Sequence, residues 1–379
     1  MVLSEKDRTG SDQENESSFM KICMVVPDAM VKGGIASVVN GYRSFEFGKE
    51  YEITYVESYC DGSKAKKLLK ALKGYLEFAK VLKEKKPDLV HIHSSFGPSF
   101  YRKIPFIYMT VWKNIAIVNH IHGAEFEVFY EKASRRKKAL IHRVYDKCDK
   151  LIALSEEWKE RLSKIVSEEK ITVLANYCTI PEKLPETRKN QMLFLGEIGE
   201  RKGGFDIPAI LAESCLKENR IHFIFAGDGQ KEDIDRIKRE IEKKDLGEWV
   251  KFLGWVRGEE KERLLRESKV FLFPSYNEGM PMAVLEAMAY GLAIVTTNVG
   301  GIPKLITSGE NGYLCRPGDI EGLSSNIRAL FTDEKLAKRM SDRARQKAIA
   351  EYSRESHITK LLQIYREVLE KRGCNQSDR

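Results

Sequence analysis

The sequence predicts an α/β protein built of two doubly wound domains, and three observations predict it. The chain has 379 residues, enough for two domains with sizeable cores. Short apolar runs alternate with helix-length segments in two successive series. Runs that are apolar on both faces mark strands buried within a sheet, and their alternation with helices marks a parallel sheet. Between the two series lies a stretch at 176–190 with Pro181, Pro185 and several charges, which reads as a linker.

In chain order, residues 1–19 are polar and mixed in charge, with no apolar core for a signal peptide, and read as a disordered lead-in. An N-terminal domain at 20–175 follows, with strands expected at 22–27, 51–57, 89–93, 115–121, 151–154 and 171–174. After the linker comes a second domain at 191–352, with strands expected at 192–196, 222–227, 250–254, 270–273 and 293–297. A final helix is expected at 353–371. Ile358, Leu361, Leu362, Ile364, Tyr365, Val368 and Leu369 form one apolar stripe along it, and residues from Gly373 onward read as frayed.

Composition narrows the class. Hydrophobic residues make up 42% and charged residues 32%, which suits a globular protein with a heavily charged surface. The formal net charge is +8, and the basic residues crowd into 64–86 and 132–150, both in the first half. Neither zinc-finger spacing nor an RNA-binding aromatic signature accompanies them, so an anionic membrane face or an acidic substrate is expected and nucleic acid is not. The seven cysteines are scattered and never closely paired, which points to a reducing compartment. The longest apolar stretch, 104–118, is interrupted by Lys113 and Asn114 and is too short to span a bilayer. The expected location is cytoplasmic, with the inner face of the cell membrane as a candidate surface.

The most informative segment is 273–291, FPSYNEGMPMAVLEAMAYG. A buried strand leads into a loop, Pro281 sits where a helix starts, and Gly291 sits where one ends. Glu278 therefore hangs at a strand's carboxyl end, and Glu286 lies inside an otherwise apolar helix. A carboxylate there is costly to bury unless something donates hydrogen bonds to it, and a polyhydroxylated ligand would do so. The helix start, from Gly279 through Met280 and Pro281 to Met282, aims backbone groups at the crevice and favours an anion such as phosphate. The alternative is that Glu278 caps the helix and Glu286 pairs with a lysine.

Other constellations follow strand ends. Gly33 and Gly34, beside Lys32, come after the first strand and open a helix, where glycines let a backbone approach a phosphate. The loop 195–204, LGEIGERKGG, holds Gly196, Arg201 and Lys202 among glycines, and a lysine is a natural phosphate partner. Neither G-x-G-x-x-G nor a Walker loop occurs, which counts against NAD enzymes and P-loop ATPases. The strand ends at His91 and His93 and at His120 and His122 carry alternating histidines. No acidic or thiol residue at suitable spacing completes a metal site, so none is expected.

The segment 273–291, continuing through 293–303 to 310–318, closely resembles the signature of family 4 of the retaining GT-B glycosyltransferases, in which a glutamate is followed after seven residues by a second. The resemblance runs from about 21 to 369 and is strongest from Gly196 to Gly318. It implies two Rossmann-like domains facing across a cleft, the acceptor on the first and a nucleotide-sugar donor on the second, with no metal. Glu278 would contact the donor sugar's hydroxyls and Glu286 the ribose. Gly33, Gly34, Gly196, Arg201 and Lys202 would face the diphosphate. His122 would face the reacting sugar and phosphate, and Glu125 or Phe126 the acceptor. One departure stands out: the family's usual arginine position holds Glu197, and Arg201 is its expected substitute. The histidine and glycine motifs look most like those of bacterial surface-polysaccharide transferases, which implies a lipid-linked saccharide acceptor. A sugar-nucleotide epimerase of the same architecture and a non-catalytic sugar-nucleotide binding protein are the alternatives.

Overall fold

The structure is a computed structural model that describes residues 19–377 apart from Ala124 and Cys215. All but the last residue of the expected lead-in lie outside the described residues.

Two parallel six-stranded sheets organise the chain. The first comprises β1 (Met20–Val26), β2 (Tyr51–Glu57), β3 (Leu89–Ser94), β4 (Ala116–Ile121), β5 (Lys150–Ala153) and β6 (Ile171–Val173), in the order β2-β1-β3-β4-β5-β6. The second comprises β7 (Lys189–Leu195), β8 (His222–Ala226), β9 (Val250–Phe252), β10 (Ser268–Phe273), β11 (Ala293–Thr297) and β12 (Tyr313–Cys315), in the order β12-β11-β10-β7-β8-β9. β3, β4 and β11 are buried at every position, His91, His93, Asn119 and His120 included, so these strands are covered on both faces. In each sheet the strand order reverses once, beside β1 and β3 in the first and between β7 and β10 in the second. Such reversal points open a crevice at the carboxyl ends of the strands, which is where the loops of interest emerge.

The structure departs from the sequence reading in several places. β12 is absent from the sequence reading, because three residues, two half-buried and one buried, carry too short a pattern. β7 begins at Lys189, so the last two residues of the expected linker already belong to a strand. The final helix runs over Arg354–Ser377, through Gly373 rather than fraying there, since a glycine in a helix weakens it without ending it. Pro281 is the residue before the helix Met282–Ala289 and not its first turn, with an extended ψ of 121°.

The final helix packs against the first sheet. Ile358, Leu361, Ile364, Tyr365 and Val368 are buried with Met24, Val118 and Ile152. A fully buried side chain of this kind stabilises by about 1.5–3 kcal/mol. His357 and Tyr42, joined by a 2.6 Å hydrogen bond, add a polar anchor on the same face. The two domains also meet directly: Lys32 pairs with Asp228 at 2.6 Å, and Asn176 donates to the Met280 carbonyl at 2.8 Å. Among the described residues no helix is long and apolar enough to cross a membrane.

Candidate active site

A cavity of about 1100 Å³ lies between the domains at the carboxyl ends of both sheets. It brings together the residues singled out from the sequence for the site, Phe126 excepted. Gly33, Gly34 and His122 line it from the first domain, and Gly196, Arg201, Lys202, Glu278, Gly279, Met280, Pro281, Met282 and Glu286 from the second.

The loops after β7 and β10 touch at the reversal point, and their glycines permit it. Gly203 adopts a left-handed φ of +71°, and a Cβ there would lie 2.0 Å from the Pro274 carbonyl oxygen. Gly300 has φ +53°, and a Cβ there would lie 1.8 Å from the carbonyl oxygen of Glu278. The Glu278 backbone is thus held from behind by a residue that no other side chain replaces.

Glu278 is 5% exposed. Its Oε1 accepts from Ser275 Oγ at 2.7 Å and from Lys202 Nζ, and Arg201 Nη1 stands 3.9 Å away. Its Oε2 accepts no hydrogen bond among the described residues and is left for a ligand. Burial lowers the affinity of Lys202 for its proton, and the neighbouring Arg201 adds to this against the opposing pull of Glu278. Arg201 itself pairs with Glu197 at 2.8 Å. The residue in the departing position therefore holds a cation at the mouth of the loop rather than repelling a phosphate alone. Glu286 pairs with Lys261 at 2.8 Å, as the simpler reading of that glutamate anticipated, and both line the cavity. Glu278 is not a helix cap. Pro281 carries no N–H, so the donors at this helix start are Gly279, Met280, Met282 and Ala283.

On the facing wall, His122 is half-buried and lines the cavity, whereas His120 is fully buried and does not. His122 Nε2 lies 2.9 Å from His93 Nδ1. Burial and the charge of His357 push the His122 imidazole down to about 3, so it is neutral. His91, His93 and His120 lie well below the ordinary range for the same leading reason. These three bring one ring nitrogen each to within 4.8 Å of one another, with no acid or thiol among them. Of the two acceptor-side candidates, Glu125 is exposed in the cavity but Phe126 is not. It is buried against Phe96, Tyr130 and Trp158, because the chain turns into a short wide helix at Glu127–Glu131 and folds that ring inward.

Trp255 and Val256, in the stretch 252–256 whose sequence resembles the family's base-contacting segment, line the cavity beside Lys261. Lys67, Arg102 and Lys103, which line it from the first domain, escaped the sequence reading. Each lies in an ordinary-looking helix or turn, and only the fold brings it to the cleft.

Comparison with known proteins agrees with this arrangement. Residues 179–347 match the model of the glycosyl transferases group 1, and residues 38–177 match that of glycosyltransferase family 4. The chain joins a glycosyltransferase family 4 domain to a glycosyl transferases group 1 domain. It is similar to a Mycobacterium tuberculosis glycogen synthase, 25% identical over 304 residues, covering 77% of this chain and 71% of the relative. It is also similar to an Escherichia coli UDP-Gal:alpha-D-GlcNAc-diphosphoundecaprenol alpha-1,3-galactosyltransferase, 27% identical over 321 residues, covering 79% and 80%. Among solved structures, Anabaena HepE in complex with UDP and glucose superposes with a TM-score of 0.72 at 16% identity, over 92% of this chain and all of that one. These likenesses fix the fold as GT-B, two Rossmann-like domains facing across a cleft.

The placement of the histidines leads to a first prediction. His122→Ala is expected to lower turnover by about a hundredfold with little change in thermal midpoint, since the ring faces the cavity. His120→Ala is expected to lower the midpoint instead, because it empties a packed site. Turnover and melting of the two variants decide. Loss of activity in a well-folded His120→Ala beside an active, stable His122→Ala would overturn the assignment.

Proposed function

We propose that the chain is a retaining glycosyltransferase that moves a sugar from a nucleoside-diphosphate donor to a hydroxyl of a lipid-linked saccharide, without a metal. The observation that carries this reading is the meeting of Lys202 and Glu278 at the reversal point of the second sheet, opposite His122 across one cavity. Lys202 and Arg201 meet the charge that leaves with the diphosphate, together with the helix-start N–H groups. Glu278 Oε2 accepts hydrogen bonds from the donor sugar, and Glu286 from the ribose. In this binding mode Lys202 is shared between Glu278 and the diphosphate, so its position is already fixed before the donor arrives. No side chain stands as an evident nucleophile. The leaving phosphate takes the acceptor's proton on the face from which it departs, and neutral His122 donates to the sugar or phosphate as charge develops. UDP and UDP-glucose in the Anabaena structures support a uridine donor, and the Escherichia coli relative supports a lipid-linked acceptor.

The surface of the first domain supports a cytoplasmic enzyme working at a membrane. On the helix Lys64–Glu84, Leu68, Leu72 and Leu76 recur at four-residue spacing and are 62%, 48% and 74% exposed among many lysines. On the adjoining helix Pro98–Trp112, Tyr101 and Tyr108 are exposed and Trp112 is 84% exposed. Apolar and aromatic side chains ringed by lysine suit an anionic lipid surface, where each cation near the surface contributes about 1 kcal/mol.

The test is to incubate the protein with a panel of radiolabelled sugar nucleotides and extracted bacterial membrane lipids. One donor is expected to pass its label to the lipid phase. Release of nucleotide with the sugar appearing in no lipid or saccharide acceptor would contradict the reading.

A further inference from the structure

We propose that the first-domain half of the cleft contains a second anion subsite, formed by Arg102, Lys67 and the start of the helix Pro98–Trp112, which receives a phosphate or diphosphate group carried by the acceptor. The inference rests on the glycosyl-transfer reading and names the acceptor's chemistry.

The cations that line the cavity fall into two groups. In and around the second domain, Lys32 pairs with Asp228, Arg201 with Glu197, Lys202 with Glu278 and Lys261 with Glu286, while Arg257 donates to Met30 Sδ at 3.1 Å. In the first domain, Lys67, Arg102 and Lys103 make no ion pair among the described residues. Lys103 is buried beneath the others, donating to Ser58 Oγ at 2.5 Å and to the Val25 carbonyl at 3.3 Å. Burial and the adjacent Arg102 drive it toward the neutral form. Arg102 and Lys67 therefore carry the uncompensated charge of the first-domain wall.

Their placement is built rather than loose. The Arg102 guanidinium lies over the Tyr59 ring at 4.5 Å from its centre, and the Lys67 ammonium stands 5.6 Å from the same ring. Arg102 Nε is buried with no hydrogen-bond partner. The nearby acid, Asp61, takes the Tyr59 hydroxyl at 3.2 Å and the Lys32 backbone N–H at 3.0 Å, and pairs with neither cation. A surface arginine would satisfy its donors with water or a carboxylate. This one is stacked over an aromatic ring with no ion-pair partner among the described residues, which leaves its terminal N–H groups as the donors a ligand in the cleft can meet. Pro98 and Ser99 also line the cavity, so the amino end of a fifteen-residue helix opens on the same space. The donor diphosphate is served by Lys202 and Arg201 on the other wall. Two separated cation sets in one cleft match two anionic groups, one on each substrate.

The experiment is calorimetry with inorganic pyrophosphate on protein saturated with UDP. A further equivalent is expected to bind, and Arg102→Ala or Lys67→Ala is expected to weaken it about tenfold or more, with Arg102→Lys in between, because a guanidinium grips phosphate through paired donors. UDP affinity is expected to stay unchanged in all three. Absence of a second equivalent, or equal binding by wild type and Arg102→Ala, would overturn the subsite. Failure of UDP itself to bind would count against the donor reading instead, and pyrophosphate binding that is insensitive to Arg102→Ala would still reject the subsite. A parallel arm sediments the proteins with phosphatidylglycerol vesicles. If the variants lose vesicle binding while keeping pyrophosphate binding, the two cations serve the membrane face and the proposal is wrong.

Discussion

Glu278→Gln is expected to lower turnover by about a hundredfold or more while donor affinity changes little. The Glu278 residue is 5% exposed and lines the cavity, with Oε1 committed to Ser275 and Lys202 and Oε2 without a hydrogen-bond partner among the described residues. A glutamine keeps the shape but replaces one acceptor oxygen by a donor and removes the charge facing the reacting sugar. That charge matters most when the sugar becomes electron-poor, so the loss falls on the transition state. Glu286→Gln is expected to behave differently. Its carboxylate sits on the helix Met282–Ala289 beside Lys261, and with the proposed role on the ribose its loss is expected to weaken nucleotide binding by about 1–3 kcal/mol with a smaller effect on turnover. Steady-state kinetics beside donor titration separates the two. Full activity in both folded variants would remove them from the site.

The second large effect is expected at Lys202. Lys202→Ala is expected to weaken UDP binding on the order of a hundredfold while uridine binding changes little. Two causes add. The variant loses the cation aimed at the diphosphate, and it leaves Glu278 in a buried place with its main counter-charge gone. An incoming diphosphate then meets a bare carboxylate. Arg201 at 3.9 Å from Glu278 compensates only in part, because Glu197 already holds it. Titrating UDP and uridine against the variant is the check, and equal losses for the two would place Lys202 away from the phosphates.

Much of this site was legible in the sequence, for reasons that particular residues make clear. The strands before the key loops are unbroken apolar runs, and the loops between them are marked by Gly196, Gly203 and Gly279 and by Pro281, so the carboxyl-edge position of Glu278 and Lys202 followed from local pattern alone. What pattern does not carry is partnership across the fold. Lys261 stands twenty-five positions before Glu286, on another helix, and nothing in spacing announces their contact. Arg102 and Lys67 look like two more charges on basic helices, and only the packing of those helices turns them toward the cleft. Phe126 was a candidate for the acceptor because it follows Glu125, yet the short wide turn after it rotates one side chain inward and leaves the other out. Pro281 misled in a smaller way. A proline near a helix start is a sound signal, but its extended backbone puts it before the helix, and its missing N–H removes one of the donors expected there.

In the proposed reaction one cleft, with Glu278 and Lys202 on one wall and His122 on the other, transfers a sugar on the face from which the nucleotide leaves. The anomeric configuration of the first-formed product, read by proton NMR from a reaction run in excess EDTA, tests it most directly. The account predicts that the product keeps the donor's configuration and forms at an undiminished rate in the chelator. A product of inverted configuration would contradict it.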